Sequence, residues 1–392
     1  MEKALISYRT GKPRLFEKGK TLFLTCAYPP NPTASSYVNY KLLDQFDPQS
    51  FIVLSGKFIG SKGVNIVKGV RNIRIYVSLE FYSKRLHKLL SEIQRITLPL
   101  FIRYYIAIFK PERIIITYPD LYWLDIASKI VSKKGIPYLA YLHDTIIEGN
   151  SHSVNIGRAK SIQKRLSDSA YRIAVITEGM QRLYAQKYDL NTVLWQHIYS
   201  EKVFDIPSRK ELRAHWSGDV YQINNRAVYR LSRALKELKI DMTISNGKSK
   251  ELLNSFGIQE ELIEKVFFPQ RSEYLHYLRG SRFLLLGLNY PDECEMHEDE
   301  LATIFSTKTC EYLGSGSLII YHGPGNYFLA QFLKENQCGF VIETRDEEKI
   351  TQQIQEIMDG GDSYLYMIEN SQKALQRFNP ETVVSKIIDA MR

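Results

Sequence analysis

A chain of 392 residues, 44% hydrophobic and 24% charged, is long enough for two cores, so two domains are the default. Its 22 glycines and 14 prolines are too few for a collagen or a low-complexity linker, and its apolar content excludes a disordered tail. The net charge of +9 conceals a split: residues 1–200 carry 29 Lys and Arg against 14 Asp and Glu, a surplus of +15, and the remainder stands at −6. The first half is suited to an anionic partner such as anionic lipid, a lipid-linked phosphate or nucleic acid. No known nucleic-acid motif accompanies the charge, so nucleic acid is not the expected partner.

Met1–Lys20 is polar and basic and lacks the apolar core of a secretory leader. The best apolar stretch, Thr97–Phe109, contains Arg103 and is shorter than the roughly 20 residues that span a bilayer. Cys26, Cys294, Cys310 and Cys338 are scattered without a CxxC pair. A disulfide framework and a zinc site are therefore not expected, and a reducing cytoplasm fits.

In chain order, Thr21–Cys26 reads as a strand ended by a proline-rich loop, and Ala34–Phe46 as a helix. Further strands fall at Phe51–Leu54, Ile73–Val77, Arg113–Thr117, Pro137–Leu142, Ile173–Thr177 and Thr192–Trp195. Helices such as Leu121–Lys133 and Ile156–Ser167 lie between them, which implies βαβ units and a mostly parallel sheet. Leu86, Leu89, Leu90 and Ile93 fall on one helical face flanked by Lys84, Arg85, Lys88 and Arg95. Pro99 interrupts that run, and Leu100–Phe109 resumes it. Such a basic amphipathic helix can pack on its own sheet or lie in a membrane surface.

The pattern restarts after Lys202, with Asp205–Arg213 as the connection. A strand near His215–Tyr221, helix Asn225–Leu238 and strand Asp241–Ser245 come first. Helices at Ser249–Phe256 and Gln259–Lys265 lead to strand Val266–Phe268, helix Ser272–Arg279 and strand Arg282–Gly287. After an acidic loop, Asn289–Glu300, come helix Ser306–Leu313, strand Leu318–Tyr321, helix Asn326–Glu335 and strand Gly339–Ile342. Helices Glu347–Met358, Tyr364–Phe378 and Pro380–Met391 end the chain. Two Rossmann-like domains in tandem are expected, with ligands outside the carboxyl ends of the strands, in the cleft between the domains.

The segment FSTKTCEYLGSGSLII, Phe305–Ile320, is a helix start, a helix, a glycine stop and a buried strand. Ser306 or Thr307 can cap the helix, and Lys308 in its first turn attracts a phosphate. Glu311, a turn further on, can accept hydrogen bonds from two sugar hydroxyls. This stretch resembles the "P-[ST]-K-x-x-E-Y-L-A-x-G-x-P-V-I" pattern of the GT-B glycosyltransferases, especially the family-four type (glycosyl transferases group 1). The likeness continues through HGPGNYFLAQFLKENQCGFVI (His322–Ile342) and TRDEEKITQQIQEIM. Upstream it includes SGDVYQINNRAVYRLSRALKEL (Ser217–Leu238) and RSEYLHYLRGSRFLLLG (Arg271–Gly287). In the first half, TLFLTCAYPPNPTASSYVNYKLL, PYLAYLHDTI and DSAYRIAVITEGMQRLYAQKY resemble the corresponding units.

The resemblance implies an α/β GT-B fold. An acceptor-binding domain would occupy residues 1–203, with residues 379–392 crossing back to it as a helix, and a donor-binding domain residues 204–378. It implies that Lys308 contacts a donor diphosphate and Glu311 the nucleotide ribose. Gly218, Asn246, Arg271, Thr307 and Tyr312 would line the same donor site. Tyr28, Ser35 and Ser36 would lie on the acceptor side. His143 would touch the transferred sugar, and Asp144 would serve as general base if the reaction inverts the anomeric centre. No metal and no resident cofactor are expected, the donor being a nucleotide sugar. A glycan or lipid-linked acceptor in cell-envelope polysaccharide synthesis follows, with the protein cytoplasmic or peripheral on the inner face of the membrane. Departures from the pattern are Thr303, where many members carry glutamate, and Asp219 and Asn224, where many carry Arg and Lys. They shift diphosphate neutralisation to Lys308 and backbone N–H groups, with Arg271 or Lys248 as helpers. They also keep two alternatives: a catalytically decayed GT-B scaffold or regulatory subunit, and a nucleotide-sugar epimerase.

Overall fold

The computed structural model describes residues 12–13, 20–29, 31, 33–58, 69–77, 84–201, 211–245, 250–259 and 261–390. The chain divides into two units, Met1–Ile198 with Pro380–Arg392, and Tyr199–Asn379.

In the first unit the order is β1 (Thr21–Thr25), α1 (Ala34–Leu43), β2 (Phe51–Phe58), β3 (Asn72–Val77), α2 (Lys84–Phe109), β4 (Arg113–Tyr118) and α3 (Leu121–Lys133). There follow β5 (Tyr138–Leu142), α4 (Ile156–Ser169), β6 (Arg172–Val175), α5 (Glu178–Tyr188) and β7 (Val193–Leu194). The sheet order is β3-β2-β1-β4-β5-β6-β7, and every pairing is parallel. All residues of β1 and β5 are buried, as expected where helices cover both faces of a parallel sheet. Helix starts are set by side-chain oxygens: Thr33, Asp120 and Thr177 accept from the backbone N–H of Ser36, Trp123 and Met180. Thr177 therefore caps α5 instead of ending the strand before it, which stops at Val175.

Pro99 does not divide α2, which runs unbroken from Lys84 to Phe109. The missing N–H and the ring clash cost about 3 kcal/mol. Burial of Leu98, Ile102, Ile106 and Phe109 on the core, each worth about 1.5–3 kcal/mol, outweighs that cost. The side chains of Leu86, Leu89 and Leu90 lie outside the described residues.

The second unit contains β8 (Glu211–Ser217), α6 (Asn225–Glu237), β9 (Asp241–Ser245), α7 (Lys250–Ser255), β10 (Glu264–Lys265), α8 (Arg271–Gly280) and β11 (Ser281–Gly287). It continues with α9 (Glu298–Thr303), α10 (Lys308–Leu313), β12 (Leu318–His322), α11 (Phe328–Glu335), β13 (Phe340–Ile342), α12 (Glu347–Asp359) and α13 (Leu365–Leu375). Its sheet, β10-β9-β8-β11-β12-β13, is all parallel. Counted within the unit this is 3-2-1-4-5-6, the Rossmann order. The last helix, α14 (Pro380–Ala390), belongs to the first unit, and its Val383 and Ile387 enter that unit's core.

Three local expectations are corrected here. Glu211–Arg213 is strand, not connection, and residues 205–210 lie outside the described residues. Glu264 and Lys265, read as the end of a helix, instead pair in parallel with Thr243 and Ile244, because the edge of β9 offers them unfilled backbone bonds. The acidic loop contains a single 3₁₀ turn at Pro291–Glu293 and then α9, whose first turn holds Glu298, Asp299 and Glu300, at the helix end that favours carboxylates.

Close packing around α10 yields a test. A Cβ on Gly314 would stand 2.8 Å from the Tyr199 hydroxyl and 3.1 Å from Leu375 Cδ2. Gly314→Ala is expected to destabilise by about 1–3 kcal/mol. Urea titration should show that cost shrink when Tyr199→Phe is combined with it.

Candidate functional site

In the second unit, β8 is a central strand that ends at Ser217, and Gly218 then turns the chain with φ +87°. That φ favours glycine, and the Gly218 N–H donates to the Ser245 carbonyl at 2.7 Å. The carboxyl edge of this strand is where the two helices α8 and α10 deliver their first-turn side chains.

Ser217 joins them with all three of its polar groups. Its carbonyl accepts from Lys308 Nζ, its N–H donates to the Tyr312 hydroxyl at 2.8 Å, and its Oγ stands 2.9 Å from the Tyr274 hydroxyl. Tyr274 in turn donates to Glu311 Oε2 at 2.6 Å. Arg271, three residues earlier and on the same face of α8, pairs with Glu311 Oε1 at 2.6 Å and with Glu201 at 3.2 Å. Lys308 and Glu311 are likewise i, i+3 on α10. Glu311 is only 12% exposed, so it is a held carboxylate and not a solvated one. Each of its oxygens has one partner here and retains a second lone pair for a ligand hydroxyl.

The Lys308 ammonium sits 3.7 Å from the centroid of the Trp216 ring, a cation–π contact. Desolvation pulls its pKa down to about 7, against the opposing pull of Glu311 and Asp219. Burial and the Glu311 charge push the Tyr274 phenol well up, so it remains a donor.

Thr307 occupies the N-cap position of α10, but its backbone is helical and its side chain makes no capping bond. Ser306 instead accepts, through its carbonyl, from the Thr309 N–H at 2.9 Å. The expected side-chain cap is therefore not formed. The first-turn N–H groups of α6 are also taken: Asn289 Oδ1 accepts from Arg226 and Ala227 at 3.0 and 3.2 Å. Asn246 and Lys248 lie outside the described residues.

In the first unit, β5 ends directly before His143 and Asp144. His143 is buried, edge-on to Tyr141 at 4.5 Å, and neither ring nitrogen has a hydrogen-bond partner. Burial, then the nearby His197, lowers its pKa to about 3, so the imidazole is neutral. Asp144 is exposed. Tyr28 and Ser36 are buried, the Ser36 N–H donating to Thr33 Oγ1 at 3.1 Å, whereas Ser35 is half-buried. Among the described residues no group of three or more His, Cys, Asp or Glu could hold a metal ion.

The structure thus brings Gly218, Arg271, Lys308, Glu311 and Tyr312 together around one strand end. It adds Ser217, Trp216 and Tyr274, which sequence reading passed over. Tyr274 was accessible in principle, lying three residues after Arg271 on a helical face; Ser217 was hidden because its role is largely carried by backbone groups.

Ser217→Ala and Tyr274→Phe each remove one end of the same bond. Each is expected to cost about 1 kcal/mol, and the double variant less than the sum. Urea titration of the four proteins measures this.

No family model and no curated protein matches the sequence. Solved structures do match over nearly the whole chain. Sucrose-phosphate synthase from Thermosynechococcus elongatus is 12% identical, with a TM-score of 0.69 over 95% of this chain and 98% of that one. Anabaena HepE in complex with UDP-glucose is 11% identical, with a TM-score of 0.68 over 95% and 99%. MurG from Acinetobacter baumannii is 11% identical, with a TM-score of 0.52 over 95% and 100%. The fold is GT-B: two units, each built on a parallel Rossmann-like sheet.

Proposed function

We propose that this protein transfers a sugar from a nucleoside-diphosphate sugar to an acceptor hydroxyl. The observation that carries the reading is the pair Lys308 and Glu311, fixed through Ser217 and Tyr274 at the carboxyl end of the first strand of a 3-2-1-4-5-6 sheet. An ammonium suits a diphosphate, and a carboxylate with two spare lone pairs suits the paired hydroxyls of a ribose. Crystals of HepE with UDP and with UDP-glucose support the same donor class.

In this reading Lys308 carries the leaving diphosphate's charge in place of a metal ion. It has little help: α6's first N–H groups serve Asn289, and Arg271 already faces Glu201 and Glu311. Neutral His143, with two unpartnered ring nitrogens, contacts the transferred sugar, and Asp144 takes the acceptor proton if the reaction inverts. The acceptor is a glycan or lipid-linked glycan of the cell envelope, handled at the cytoplasmic face of the membrane.

Calorimetry with a panel of UDP-, GDP- and dTDP-sugars tests the donor site. Lys308→Ala and Glu311→Ala should each weaken donor binding about tenfold or more, a loss of about 1.4 kcal/mol, with a folded circular-dichroism spectrum retained. Unchanged binding in both variants would falsify the site. Turnover assays then separate a transferase from an epimerase or a non-catalytic binder.

The pH dependence has a definite sign. Lys308 is protonated below about pH 7 and loses its charge above it. A nucleotide sugar's diphosphate does not itself titrate near neutrality. Donor affinity should therefore rise as pH falls from about 8.5 to 6.5, with proton uptake, and Lys308→Met should abolish both.

A further inference from the structure

Helix α2 buries one face and leaves the other bare. Leu98, Ile102, Ile106 and Phe109 face the core, and on the opposite side Ile93, Ile96, Leu100, Phe101, Tyr104 and Ile108 are each between 41% and 68% exposed. Five of these six recur at i, i+3, i+7, i+11 and i+15, a continuous stripe about four turns long. Soluble surfaces rarely carry so many large apolar side chains in one row. No helix in the described residues is long and apolar enough to cross a membrane.

The charges between the ends of the stripe are basic, with Glu92 just before it and Glu112 beyond the helix. From Ile93 to Pro111 the sequence holds Arg95, Arg103 and Lys110 and no Asp or Glu. Arg103 and Lys110 are exposed, and the exposed Arg71 stacks on Phe109 at 5.0 Å, at the helix's carboxyl end. Two exposed rings join the surface: Phe101 stacks on the half-buried Tyr105 at 6.4 Å, and Tyr104 meets Tyr105 edge-on at 5.2 Å. Apolar bodies, tyrosine hydroxyls and a cationic rim match the layered chemistry of a bilayer interface. A second copy of the chain is a poorer occupant. A two-fold, antiparallel contact centred on the stripe would bring the two Arg103 side chains together.

We propose that the outward face of α2 is a docking surface for an anionic lipid bilayer, with the helix lying in the interface plane. This deepens the lipid-linked-acceptor part of the reading above, and rests on that reading only for what the membrane presents to the site.

The test is co-flotation of the full chain with vesicles of phosphatidylcholine alone, or containing 30% phosphatidylglycerol (about one lipid in three). Wild type should partition at least tenfold better onto the anionic vesicles, and lose most of that gain in 0.5 M salt (about 4 Å screening). The variant Ile96→Ser/Leu100→Ser/Tyr104→Ser, altered only at exposed positions, should lose tenfold or more in partitioning with its melting temperature and nucleotide-sugar binding unchanged. Equal binding of wild type and variant, or no flotation of wild type, would overturn the surface. So would sedimentation as a dimer that the variant converts to monomer. Nucleotide-sugar calorimetry on the same samples keeps the two ideas apart. Flotation without donor binding removes the sugar-transfer reading and leaves the surface. Donor binding without flotation does the reverse.

Discussion

The second unit's chemistry hangs on one residue at a strand end. Ser217 holds Lys308 with its carbonyl, Tyr312 with its N–H and Tyr274 with its hydroxyl. A residue inside a strand would spend its backbone groups on the ladder. Ser217 is free to look outward because β8 stops there and Gly218 carries the chain away with a positive φ. Two helices that start far apart in sequence, α8 and α10, are therefore registered to the same few atoms. The spacing of ammonium and carboxylate is set by α10, i to i+3, and the registration against Ser217 and α8 holds both side chains in place.

The electrostatics are economical. One half-buried ammonium lies over an indole ring, one carboxylate is held between a phenol and a guanidinium, and the nearest long helix has its first-turn donors filled by Asn289. Among the described residues of this network, Lys308 has no carboxylate in direct contact whereas Arg271 is paired with Glu201 and Glu311, which gives Lys308 the larger weight toward an anion. Its depressed pKa is the cost of that position: desolvation makes the charge expensive until an anion arrives to share it.

Much of the architecture was legible. Apolar runs at short intervals, separated by helical periodicity, gave the alternation that a parallel sheet requires, and FSTKTCEYLGSGSLII marked the helix and strand that carry Lys308 and Glu311. What escaped was decided by tertiary context. Pro99 reads as a break, yet the apolar residues on either side of it share one buried face that holds the helix together. The strand expected at Val266–Phe268 forms two residues earlier, at Glu264 and Lys265, where the open edge of β9 takes up their backbone bonds. Thr307 has the right side chain for a cap, but its backbone already lies in the helical region. Tyr274 and Ser217 carry no motif, because their contribution is a position in space.

The path of the chain has a consequence for biosynthesis. The polypeptide leaves the first unit at Ile198 and returns to it only at Pro380, so one Rossmann-like body is threaded through the sequence of the other. On the ribosome, every strand of the host's sheet emerges before the inserted body does, but the host still lacks its last helix. The host can close its hydrophobic interior only after Val383 and Ile387 have emerged. Assembly is thus inverted relative to synthesis: the part begun first is finished last.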